Sequence, residues 1–103
     1  MSFEKILHKL GKDVKIIKLT RTLVNGYYQT TEEVINTKAV VLPLSSEEKT
    51  AWSSIGITKA ELKAYLKDEI HTGWKIEVEG VRYNVRAIEK YVSFVKAILE
   101  KSG

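Results

Sequence analysis

Three adjacent acidic pairs, Glu32-Glu33, Glu47-Glu48 and Asp68-Glu69, and two histidines, His8 and His71, are the residues of this sequence whose chemistry suits catalysis or metal binding. Paired carboxylates act as general acid and base when both face one substrate. Neighbours on a strand point to opposite faces, so these pairs read instead as solvated charge. Neither histidine is followed by a second ligand at i+3 or i+4, and each reads as a surface or turn residue. The chain has no cysteine, which excludes disulfides and thiolate metal sites and fits a reducing compartment. Its glycines are scattered singly, where turns need them, so no loop is built to cradle a phosphate. No catalytic residue, cofactor or metal is expected, and an enzyme ranks last.

The remaining candidates are contact residues. In "VLPLSSEEKTAW", residues 41–52, an apolar run stops at Pro43, the only proline, and a polar excursion through Ser45, Ser46, Glu47 and Glu48 leads to Trp52, with Ile55 close behind. A tryptophan in such a place is either a lid folded over one end of the fold or an anchor that is buried when another subunit arrives. A second candidate is the turn Asn25-Gly26 with Tyr27 and Tyr28 beside it. A third is electrostatic. Lys5, Lys9, Lys12, Lys15, Lys18 and Arg21, offset by Glu4 and Asp13, account for the whole net charge of +4. A basic N-terminal third faces solvent, nucleic acid or an acidic protein rim. It lacks the arginine clustering and glycine–aromatic interleaving that mark many nucleic-acid surfaces.

The elements that position these residues follow from periodicity. At 103 residues, 44% hydrophobic and 29% charged, the chain fits one domain spanning 1–103. "SFEKILHKLG" places Phe3, Ile6, Leu7 and Leu10 on one face of a helix over 2–10, capped by Ser2 and stopped by Gly11. β-branched residues from Val14 to Thr22 predict a strand, Asn25-Gly26 a type I′ hairpin turn, and Thr37 to Leu44 a strand stopped at Pro43. Between 45 and 58 lies a long loop in which Ser45 or Ser46 can cap a single helical turn. "GWKIEVEGVRYNVRAIE" alternates apolar and polar residues on both sides of Gly80, a hairpin with one buried face. "AELKAYLKDEI" and "YVSFVKAILEKSG" fit helical and strand periods alike, so 60–67 and 92–99 stay open on periodicity alone. Trp74, Tyr83 and Phe94 fall in strand patterns and are expected in the core. The fold class is mainly β: a five- to six-stranded antiparallel barrel or sandwich over 13–99 with a short N-terminal helix. No apolar run approaches the about 20 residues needed to span a bilayer, and there is no signal-peptide core, so the chain reads as soluble and free of membrane.

The order of these pieces resembles the head-completion and head–tail joining proteins of tailed bacteriophages, the connector or stopper subunits beneath the portal. The likeness covers about residues 13 to 99. It rests on "LPLSSEE" at 42–48 as a strand-to-loop exit and on "KIEVEGVRYNV", with Gly80 as the turn and Tyr83 and Val85 as the Tyr-X-Val step. Trp74 stands where members often carry an aspartate. The resemblance implies strands at 60–67 and 92–99. It also implies a homo-oligomeric ring, monomeric in solution before docking, in the neck of the virion after assembly in the host cytoplasm. Partners would be a portal or adaptor protein, tail proteins, and DNA passing through the channel without sequence readout. The 45–58 loop would then dock through Trp52, exposed in the isolated chain, and line the channel with Glu47 and Glu48. The alternatives are a small basic β-barrel that binds nucleic acid through residues 5–21 and, behind it, an adaptor that adds a peptide strand to an open sheet edge.

Overall fold

Two tight turns organise the sheet. At Asn25-Gly26 the backbone takes φ of 51° and 83°, and at Glu79-Gly80 it takes 50° and 81°. Two successive left-handed residues make the type I′ geometry whose twist matches that of paired strands. Described here is a computed structural model, covering residues 2–101. The first turn joins β1 (Lys12–Val24) to β2 (Tyr27–Pro43), and the second joins β4 (Lys75–Val78) to β5 (Val81–Lys90). With β3 (Ala60–Leu66) and β6 (Val95–Lys101) they pair antiparallel throughout in the order β1-β2-β3-β6-β5-β4, and the ring closes because β4 also pairs with β1. Closure decides for the barrel over two packed sheets.

Inside the ring, alternate residues interlock. Ile16, Ala64, Leu66, Ile76, Ala97 and Leu99 are fully buried, with Val14, Val78 and Val85 nearly so. A register shift between Val85 and Ala87 lets both Val85 and Ile88 pack on the core. Trp74 and Tyr83 pack against the same cluster from partly buried positions. β3 and β6 are strands although Ala, Glu, Leu and Lys favour helix. Each is paired on both sides within the closed sheet, and burial of Ala64, Leu66, Ala97 and Leu99 outweighs the local preference.

Helix α1 (Phe3–Leu10) has the predicted ends. The Lys5 N–H donates to Ser2 Oγ at 3.4 Å, and the Gly11 N–H donates to the Leu7 carbonyl at 2.8 Å. A Cβ at Gly11 would overlap that carbonyl, so glycine is required there by close approach. The helix is held to the body by Phe3, whose ring stacks on Phe94 at 5.0 Å, and by an ion pair between Glu4 and Lys67. Phe94 stacks in turn on Tyr91 at 4.7 Å and meets Tyr65 edge-on at 5.7 Å. Phe94 therefore belongs to a half-buried aromatic stack outside the main core where it was expected, because the β5–β6 turn carries it to the edge of the body.

β1 and β2 outrun every neighbour. β4 pairs with β1 only over Val14–Ile17, and β3 pairs with β2 only over Val40–Pro43. From Lys18 to Val24 the hairpin pairs with itself alone and stands out as a two-stranded arm. Seven residues at about 3.3 Å each carry it roughly 23 Å. The molecule is elongated accordingly, with extents of 50 × 32 × 27 Å and a radius of gyration of 14.5 Å, against about 13 Å for a compact chain of this length. Stability resides in the body. Ile76→Ala is expected to cost about 2–5 kcal/mol in denaturant unfolding, whereas Leu23→Ala on the arm should change it by no more than about 0.5 kcal/mol.

Candidate functional site

The 45–58 segment is ordered around helix α2 (Ser46–Ser53). Its start is a capping box, a Ser-x-x-Glu signal present in the sequence as Ser45 and Glu48. The Glu48 N–H donates to Ser45 Oγ at 3.2 Å, and the Ser45 N–H donates to Glu48 Oε1 at 3.1 Å. Lys63 Nζ from β3 donates to both Glu48 carboxylate oxygens, at 2.8 and 2.9 Å, and Lys96 Nζ from β6 lies 3.8 Å away. The Lys63 ammonium and the Ser45 N–H lower the Glu48 pKa from 4.5 to about 2, against a smaller opposing effect of desolvation. Glu48 in turn raises that of Lys63.

This anchoring corrects the expectation for Trp52. It does not stand exposed awaiting a partner; it is half-buried against Leu44, Ala60 and Ile98, with Ile57 and Ala87 beside it. The physical reason lies on the outer face of β3 and β6, where Ile98 and Ala60 would otherwise meet water and α2 supplies the cover. Glu48 is likewise committed to a cap and an ion pair. Of the predicted docking and channel residues, Ser45, Ser46 and Glu47 remain exposed, and so does Ile55, at 67%.

The six basic residues do not share a face. Lys5 and Lys9 are exposed on α1. On β1 the pleat sends Lys12 and Lys18 to one side and Lys15 and Arg21 to the other. Four of them already have partners: Lys12 with Glu79 at 3.2 Å, Lys15 with Glu77 at 3.8 Å, Lys18 over the Trp74 ring at 5.6 Å, and Arg21 over Tyr28 at 4.8 Å. The acidic pairs are dispersed too. Asp68 accepts from Thr37 Oγ1 at 2.6 Å, Glu69 lies 2.9 Å from His71 Nε2, and Glu32 lies 3.3 Å from Arg82. Among the described residues no three His, Cys, Asp or Glu side chains converge on a common point.

What the structure does gather is apolar surface at the end of the arm. Leu23, Val24, Tyr27 and Tyr28 flank the Asn25-Gly26 turn, with Tyr27 77% and Tyr28 68% exposed. The register sets Leu23 beside Tyr28 on one face and Val24 beside Tyr27 on the other, so both faces of the tip are apolar. Sequence reasoning found the turn and the tyrosines and missed the length of the arm. The signal for it is "YYQTTEEV" at 27–34, a strand with no continuous apolar face. The arrangement offers a contact surface rather than a reaction centre.

These features define a class: a small closed antiparallel β protein with a capped helix on its outer wall and a projecting two-stranded arm. No protein family matches the chain, and no curated protein matches it. Among solved structures it is similar to protein SF1141 from Shigella flexneri 2a, a solution structure, with a TM-score of 0.71 at 16% identity over 88% of this chain and 91% of that one. The likeness is one of fold. Among the described residues no helix is long and apolar enough to cross a membrane.

Glu48 yields a pH prediction. Its folded pKa lies below the unfolded value, so its contribution to stability is complete above about pH 4.5 and is lost as pH falls towards 2. Glu48→Gln should lower stability at neutral pH by about 1 kcal/mol and flatten the decline of unfolding midpoints between pH 4.5 and 2, read by circular dichroism. Trp52→Ala should cost about 2 kcal/mol of fold stability, a loss visible in the isolated chain.

Proposed function

We propose that this chain is a structural subunit of the head–tail connector of a tailed bacteriophage, assembling as a ring beneath the portal to close the DNA-filled head and present a platform to the tail. The observation that carries this reading is a rigid closed body bearing a long arm with an exposed aromatic tip. Leu23, Val24, Tyr27 and Tyr28 make the tip of the arm apolar on both faces, and burial against another subunit removes that exposure. The order of segments and the Gly80, Tyr83 and Val85 pattern support the same class. The docking contact belongs to the arm tip, at Leu23, Val24, Tyr27 and Tyr28. Trp52 holds α2 in place. In the ring, DNA passes without sequence readout, and Glu47 is the carboxylate of the 45–58 segment free to repel phosphate. The protein resides in the neck of the virion.

The test begins with the gene neighbourhood, which identifies the portal protein with which this chain is co-expressed. The expected outcome is a complex in which electron microscopy shows a ring of this chain coaxial with the portal. Tyr27→Ala with Tyr28→Ala should weaken the complex at least tenfold while leaving the circular dichroism spectrum unchanged. A neighbourhood of metabolic genes overturns the reading. So does tight duplex binding by the isolated chain that falls steeply with salt, as a nucleic-acid module requires.

A further inference from the structure

The arm carries two unpaired sheet edges of opposite charge. Outside the four rungs with β4, the outer edge of β1 from Lys18 to Val24 pairs with no strand; outside the four rungs with β3, neither does the outer edge of β2 from Tyr27 to Ala39. Open edges of this length are templates for strand addition, and proteins ordinarily shorten or cover them. Here Lys18–Val24 carries Lys18 and Arg21 and no acidic residue, while Tyr27–Val34 carries Glu32 and Glu33 and no basic one. Lys18 and Glu33 are directly opposite in the hairpin register. They nevertheless form no ion pair: Lys18 lies over Trp74, and Glu33 has no charged partner among the described residues.

We infer that the arm is an assembly strand pair: the β1 edge of one copy of this chain adds antiparallel to the β2 edge of the next, with arms running along the ring axis. The inference rests on the ring reading above and specifies how neighbouring copies meet. Rotation about an axis parallel to the arm keeps every β1 pointing one way and every β2 the other, so the strands that meet between copies are antiparallel. It also keeps residues at equal height, which brings Lys18 of one copy level with Glu33 of its neighbour, as in the hairpin itself. Charge selects this arrangement, because β1 against β1 or β2 against β2 would set like charges side by side. The contact is heterologous, joining different patches on identical subunits, which is what a ring requires.

Because the natural chain has no cysteine, single introduced thiols report contacts without interference. Copies carrying Lys18→Cys are mixed with copies carrying Glu33→Cys, or Thr31→Cys for the register two residues away, and mildly oxidised. This is done both alone at several hundred micromolar and on the portal complex. The expected result is a disulfide heterodimer at least fivefold more abundant than either homodimer. A charge exchange supplies the second measurement. Lys18→Glu with Arg21→Glu, and Glu32→Lys with Glu33→Lys, should each abolish assembly alone, and an equal mixture should restore it, since each variant then meets an edge of opposite sign. Homodimers as abundant as heterodimers, no crosslink in either setting, or no rescue in the mixture would overturn the inference. A portal-bound ring without these crosslinks removes the arm pairing and leaves the connector reading. Heterodimers from a chain that never joins a portal do the reverse.

Discussion

Four rungs between β1 and β4, Val14–Ile17 against Lys75–Val78, close the sheet, and the rest of the architecture depends on them. They set Ile16 opposite Ile76, both fully buried at the centre of the ring. They also fix where the body ends. Just before Lys75 the chain turns, with the Gly73 N–H donating to the Val85 carbonyl at 3.1 Å and the Val85 N–H donating to the Trp74 carbonyl at 2.9 Å. No strand is left to pair β1 beyond Ile17. The shortness of β4 thus closes the body and frees the arm in one step.

Around that body the chain uses two kinds of cover. The closed sheet buries its inner face with Ile70 and Trp74 of the β3–β4 connection packed into the same cluster, whereas the outer face of β3 and β6 needs α2, with Trp52 as the apolar lid and Glu48 as the charged latch. Most ion pairs of the surface are exposed and contribute at most about 1 kcal/mol each. The Glu48–Lys63 pair differs, with side chains only 26% and 17% exposed and every contact charge-assisted. Rigidity is concentrated there and in the core, and the arm has neither.

How much of this was legible in the sequence depended on the range of the forces involved. α1, both glycine turns and the β4–β5 hairpin were readable because capping, left-handed backbone and period-two alternation are local. β3 and β6 were not readable from periodicity. Leu62, Ala64 and Leu66 satisfy a helix and a strand equally, and the decision comes from partners about twenty to forty residues away in the chain. Trp52 misled for a related reason. Its surroundings in sequence are polar, but its surroundings in space are Leu44, Ala60 and Ile98, a cluster that exists only once β3 and β6 are paired. The arm was missed because β2 looks like an ordinary strand until its neighbours prove too short to accompany it.

The closing rungs join residues about sixty positions apart in the chain, while the β1–β2 and β4–β5 ladders grow outward from two-residue turns. Loop-closure entropy delays distant pairings, so the hairpins zip early and the β1–β4 seam is sealed late. Until it is sealed, the inner residues of β1 lie beside an open edge, in the same strand whose far end stays open in the finished protein. The maturing chain therefore passes from two sticky margins on one strand to a single one, restricted to the arm.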